Sequence, residues 1–213
     1  MIATATLRRL TGIVMLALAT VGCGGAPGIG SSAPSGDVPP PSGAVPIGSG
    51  EPMVHVSDPV AHLGYDIPAG WETDTDDLVE FFTAISAPDV NADGPSMQLV
   101  ASGPYDAGLG EPVTRENVAD ITRRDAAGFA DFFFTAPADR VTLIDSAIEV
   151  SGEPGHRVRL RITFDDTSKP PAIVEARAVV GSQPAFLLAL SVDDEGPMVA
   201  QLDSVLASLA VEP

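Results

Sequence analysis

Residues 157–164 alternate without a break. Val158, Leu160, Ile162 and Phe164 fall on one side, and Arg157, Arg159, Arg161 and Thr163 on the other. A period of two predicts a half-buried strand. Val54 and Val56, then Leu63, Tyr65 and Ile67, alternate in the same way and read as a half-buried strand stopped by Pro68, Ala69 and Gly70. Residues 78–82 and 97–101 are short apolar runs of strand length, separated by a loop marked by Pro88, Asn91, Asp93, Gly94 and Pro95. Residues 141–150 and 172–180 continue the strand series. Residues 185–192 are apolar at nearly every position, which predicts a central strand covered on both faces. Two segments carry the longer helical period. The first has Thr114 as N-cap, Glu116 in its first turn, and Val118, Ile121, Phe129, Phe132 and Phe133 at helical intervals before Pro137, with Gly128 weakening it. The second starts at Pro197 and places Met198, Leu202, Val205, Leu206 and Leu209 on one face. Strands outnumber helices and come in consecutive runs, so the expected class is α+β, an antiparallel sheet flanked by helices.

None of this pattern reaches the first 50 residues. Arg8 and Arg9 precede an uncharged, mostly apolar run over residues 10–21, whose length suits a secretory signal rather than a spanning helix. The run ends in Thr20-Val21-Gly22-Cys23. Small residues before a cysteine resemble the lipobox of bacterial lipoproteins, with Thr20 standing where leucine is usual. That resemblance implies cleavage before Cys23, a diacylglyceryl group on its sulfur, and anchoring in a membrane by acyl chains. Residues 24–50 hold 8 Gly, 6 Pro and 5 Ser among 27 residues, with Asp37 their one charge. Such a segment buries too little apolar surface to offset its ordering entropy and reads as a tether. The expected organisation is therefore a lipoprotein signal over 1–22, a lipidated cysteine and tether over 23–52, and one globular domain over 53–213.

Charge narrows the class of partner. The chain has 29 acidic and 11 basic residues, a net charge of −18 that becomes −20 if Arg8 and Arg9 leave with the signal. A nucleic-acid binder needs a basic face, so nucleic acid is excluded as a partner. One cysteine excludes an internal disulfide framework. His55, His62 and His156 lack metal-ligand spacing, and the acidic clusters at 74–77, 165–166 and 193–195 read as loop and capping residues, so no metal or cofactor is expected. Neither a nucleophile elbow nor a phosphate loop occurs, which disfavours a hydrolase. Ser151 and His156 are neighbours in what reads as a hairpin turn.

Two features remain as candidate contacts. The arginine stripe Arg157, Arg159 and Arg161, with Arg177 on the next strand, is either an anion site or a face balanced by cross-strand ion pairs. Pairing across the 165–171 loop is expected to set Arg161 opposite Glu175 and Arg159 opposite Arg177. Phe129, Phe132, Phe133 and Phe134 are four rings in six residues, more than one helix face buries, so at least one is expected to meet a cavity or a partner.

Residues 64–71 (Gly-Tyr-Asp-Ile-Pro-Ala-Gly-Trp) join an extended strand to a Pro-x-Gly-Trp turn. Together with the mid-chain helix, the strand series and the closing Leu206-Ala207-Ser208-Leu209, they resemble actinobacterial lipoproteins of the LpqN/LpqT type. The bias toward arginine, with Lys169 the single lysine, suits the high-GC genomes of that group. The resemblance implies a Mog1/PsbP-like α/β/α sandwich and a non-enzymatic binding or accessory module at the extracytoplasmic face of the cell membrane. Its partner would be an envelope protein or lipid, and a carrier of an acyl chain is the alternative.

Overall fold

The computed structural model describes residues 52–76, 78–79, 81–88, 98–105, 111–134 and 139–213. Cys23, the apolar leader, the tether, Asn91 and Pro137 lie outside them.

The described residues open with a hairpin, β1 (Met53–Asp58) and β2 (Leu63–Pro68), where the alternation reads as a single strand. The break falls at residues 59–62. There Asp58, itself buried, accepts the backbone N–H groups of Val60 and Ala61 at 3.1 Å each and turns the chain back. Next come β3 (Trp71–Asp74), β4 (Ala84–Pro88) and β5 (Gln98–Pro104), followed by helix α1 (Val118–Phe133). The strands β6 (Asp139–Val150), β7 (Glu153–Thr163), β8 (Ala172–Val179) and β9 (Ala185–Ser191) form a meander. Helix α2 (Pro197–Ala207) and the short β10 (Ala210–Val211) complete the chain.

Seven strands make one antiparallel sheet in the order β3-β4-β5-β9-β8-β7-β6, and β1-β2-β10 form a second, three-stranded sheet. Phe186, Leu188 and Leu190 of β9 face a core shared with Ala126, Ala130 and Phe133 of α1. Ala185, Leu187 and Ala189 face the opposite core, built with Leu63, Tyr65 and Ile67 of β2 and Leu202, Val205 and Leu206 of α2. All seven residues of β9 are buried because both faces are covered, as its unbroken apolar run requires. The architecture is helix, sheet, then a second layer of helix and small sheet.

Three further expectations need correction. Of the run 78–82, the described residues are not in a strand. Leu78, Val79, Phe81 and Phe82 instead pack under α1, with a turn bond from Phe82 N–H to the Val79 carbonyl, and the strand begins at Ala84. A short apolar run carries no period that separates a strand from a core-filling turn. The helix begins at Val118 rather than just after Thr114. Asn117 occupies the cap position; its carbonyl accepts from Ile121 N–H at 3.0 Å, but its side chain makes no cap bond, and its Oδ1 accepts instead from Thr114 N–H at 2.7 Å and Oγ1 at 3.2 Å. Finally, Glu175 lies opposite Arg159, not Arg161, and Arg177 lies opposite Arg157. A register shift of two leaves every side chain on its original face, so alternation cannot detect it.

The β6–β7 connection is the expected tight hairpin: Ser151 and Gly152 both take positive φ, +52° and +85°. Pro197 stands in the first turn of α2, as read from its position. Trp71 opens β3 and packs half-buried on the α2-side core. No helix among the described residues is long and apolar enough to cross a membrane.

Candidate functional site

The arginine stripe points inward. Even-numbered residues of β7 fill the α1-side core, so Arg157, Arg159 and Arg161 face the layer that holds α2. Glu175 of β8 is wholly buried there. It accepts from Arg159 Nε at 2.5 Å and from Arg177 Nε at 2.7 Å. Arg159 also reaches Asp203 of α2, Arg161 pairs with Asp194, and Arg157 donates to Ser146 Oγ at 3.0 Å. Arg177 donates to the Leu206 carbonyl at 2.6 Å, giving the C-terminal turn of α2 a cation that its own sequence lacks. Each of the four arginines thus meets a protein group, and three of them tie α2 and its preceding loop to the sheet.

The phenylalanine cluster divides. Phe133 and Phe134 are buried in the α1-side core, 5% and 8% exposed, and the Phe134 ring lies edge-on to Phe164 at 5.6 Å. Ala126 and Ala130 lie on the buried stripe of α1, and their small side chains let the helix lie close to the sheet. Phe129 and Phe132 therefore sit on its flank. Phe129 is half-buried, and Phe132 is 45% exposed.

Phe129 forms part of a half-open groove of about 330 Å³ between the start of α1 and the ends of β5 and β9. Its apolar lining is Phe81, Tyr105, Pro112, Val113, Ile121, Phe129, Pro184 and Phe186, and its polar lining is Glu111, Arg124 and Asp125. Ring contacts run continuously through it: Phe132 to Phe81 at 5.9 Å, Phe81 to Phe129 at 6.1 Å, Phe129 to Phe186 at 5.6 Å, and Phe186 to Tyr105 at 5.4 Å. The Phe81 turn can lie this close to β5 because residue 103 is glycine. A Cβ there would come 2.1 Å from the Phe81 carbonyl oxygen. The Tyr105 hydroxyl donates to Asp125 Oδ2 at 2.7 Å. Burial first, then the Asp125 charge, holds the Tyr105 proton on well above the usual phenol range. Phe129 was among the residues singled out from sequence. Tyr105, Phe186 and Asp125 were not, because strands and loops far apart in the chain bring them together.

A second cluster joins β1 to the segment after β10. His55 of β1 contacts Asp66 Oδ1 through Nδ1 and Glu212 Oε1 through Nε2, both at 2.8 Å, and Ser57 donates to Glu212 Oε2 at 2.5 Å. The serine hydroxyl bonds the carboxylate, not the imidazole, so the group is no nucleophilic triad. The Asp66 bond, then the Glu212 bond, raises the His55 pKa above 6.5, and the Ser57 bond, then the His55 bond, lowers that of Glu212 below 4.5. The His55 contribution to stability is complete below pH 6.5 and is lost as pH rises through its raised folded value. The Glu212 contribution is present above pH 4.5 and is lost as pH falls through its lowered folded value. The cluster therefore holds most firmly between those two limits. Urea midpoints measured at pH 6 and pH 8.5 are expected to fall further in the parent protein than in His55→Gln. Equal falls in the two proteins would exclude the linkage.

On the α1 side, Asp145 of β6 accepts from Arg123 at 2.7 and 3.0 Å and contacts His156 Nε2 at 2.7 Å. These bonds, Arg123 first, lower its pKa to about 2 and fasten α1 to the sheet edge. Among the described residues no group of three or more His, Cys, Asp or Glu is placed to hold a metal ion. Among the acidic clusters, Asp166 accepts from Ser168 and Asp74 from the Asp76 N–H, both local, whereas Asp194 reaches across to Arg161.

These elements define a class, an antiparallel sheet enclosed by helices. Compared by sequence, the chain matches no protein-family profile and no curated protein. Compared by structure, it is similar to cyanobacterial PsbP from Synechocystis, with 15% identity and a TM-score of 0.55 over 81% of this chain and 99% of that one. It is also similar to the Ran-binding protein Mog1p of Saccharomyces cerevisiae, at 10% identity and a TM-score of 0.50 over 76% of this chain and 96% of that one. The domain thus has the Mog1/PsbP-like fold expected from its sequence. LpqN of Mycobacterium tuberculosis, described as involved in cell envelope biogenesis, aligns at 14% identity over 76% of this chain and 91% of that one. Its TM-score of 0.45 adds nothing to the fold assignment.

Proposed function

We propose that this chain is an extracytoplasmic lipoprotein, of the LpqN/LpqT type, held at the cell membrane by acyl groups on Cys23. Its domain is a non-catalytic binding module that engages an envelope ligand or partner through the groove beside α1. The ring-lined groove is the observation that carries the binding role. It is a concave, mostly apolar site whose few polar groups lie at hand to orient a ligand. The anchor rests on the apolar leader, the small residues before Cys23, and the tether that follows.

Changing Cys23 to Ala is expected to move the protein from the detergent phase to the aqueous phase in a detergent partition assay. Unchanged partitioning would remove the anchor from the proposal. The groove also supports a second reading, carriage of an acyl chain or envelope lipid, because its apolar lining exceeds its polar lining. Solvent extraction of the protein from cells, followed by mass spectrometry, separates the two. A stoichiometric lipid identifies the carrier, and an empty groove with a crosslinked envelope protein identifies the partner-binder.

A further inference from the structure

We infer that the groove selects a ligand carrying an alkylated ammonium group on a small apolar body. The inference rests on the groove being a binding site and adds the chemical class of its occupant. Aromatic rings and charge both point to it. Phe81, Phe129, Phe186 and Tyr105 lie in continuous ring contact along the groove. A cation over ring faces is attracted by their quadrupoles, and most strongly where water is excluded.

The charged groups favour the same sign. Two carboxylates, Glu111 and Asp125, line the groove against one guanidinium, Arg124. Arg124 is 64% exposed, and its Nε lies 3.5 Å from Asp125 Oδ1, so its charge is already matched. Glu111 has no ion-pair partner among the described residues. Tyr105 keeps its proton and adds no negative charge to the floor, while its hydroxyl is committed to Asp125. With Asp125 matched by Arg124, an anionic head group would still meet the unmatched carboxylate of Glu111 on a chain of net charge −18, and a neutral one would gain nothing from it. A primary ammonium would surrender three donors to water on entering a floor of rings, whereas an alkylated one has fewer to lose.

The test uses the whole chain with Cys23→Ala, so that no acyl group of its own competes. The probes are (6-hydroxyhexyl)trimethylammonium and its neutral isostere, in which carbon replaces nitrogen, titrated by NMR at physiological salt. The expected result is that the cation binds about tenfold more tightly than the isostere. Glu111→Gln should weaken the cation severalfold and leave the isostere unchanged. Phe129→Leu should weaken both, the cation by the larger factor. Vesicles of phosphatidylcholine, run against phosphatidylglycerol vesicles in flotation, then divide the sources. Flotation with phosphatidylcholine alone assigns a lipid head group, and soluble-probe binding without flotation assigns a free solute. Equal affinity for cation and isostere would overturn the ammonium inference and leave the groove as an apolar site. Cation binding that neither substitution changes would overturn it as adsorption to an acidic surface. If neither probe binds, the groove reading fails as well.

Discussion

Glu175→Ala is expected to destabilise the domain by about 3–5 kcal/mol, the usual cost of stranding buried partners of an ion pair. Glu175 is wholly buried, and its two oxygens each accept from a different arginine, Arg159 and Arg177. Both arginine side chains are only 12% exposed, so neither can turn out to water without breaking a further bond, to Asp203 or to the Leu206 carbonyl. Removing the acid leaves two guanidinium groups in a low dielectric, and the loss extends to the seating of α2. Urea unfolding measures it directly, and a cost under about 1 kcal/mol would show that water or a neighbouring acid replaces the carboxylate. A companion protein separates the worth of the pair from the cost of breaking it. Replacing Arg159, Glu175 and Arg177 together with Met, Leu and Met should be less damaging than Glu175→Leu alone, because no buried charge is then unpaired. This triple variant also tests the arginine stripe. If the stripe only clamps α2, the variant keeps whatever ligand the protein binds.

Phe133→Ser and Phe134→Ser are each expected to cost at least the 3–5 kcal/mol typical of truncating a buried phenylalanine, about half of a small domain's stability. Phe132→Ser, one position away, should change stability by no more than about 0.5 kcal/mol. The contrast follows from geometry. Phe133 and Phe134 sit against the sheet, whereas Phe132 is 45% exposed and touches Phe81, a lining ring of the groove. Thermal or urea unfolding of the three variants checks the order. A large loss at Phe132 would mean that the ring is covered in the native protein.

Much of the architecture was legible before any coordinate. The alternation over residues 157–164 identified β7 and its buried face, and the unbroken apolar run identified β9 as central and doubly covered. Short runs were read less well. Residues 78–82 have strand composition but serve as a plug under α1, and β3 is short and exposed along most of its length, so it carries no pattern. Within the groove only Phe129 had a signal, that of too many rings for one helix face. Asp58 had none. It is 1% exposed and takes the N–H groups of Val60 and Ala61 with the hydroxyls of Thr83 and Ser102, donors from three separate parts of the chain.

Local pattern determined what local forces determine. A strand's inward face follows from a period of two, a helix start from Pro197, and a tight hairpin from Ser151-Gly152. Register, the joining of β2 to β10, and the identity of the groups beside each arginine were decided only by the tertiary structure. A two-residue slip keeps every face unchanged, so the choice of Arg159 over Arg161 as the partner of Glu175 lies in how α2 docks and where Asp203 and Leu206 then fall. The groove has the same origin. Its rings come from the turn before β4, the end of β5, α1 and β9, and no separation along the chain announces that they meet. They meet because the sheet sets β5 beside β9 and α1 lies across it, and long-range packing is a property of the folded whole.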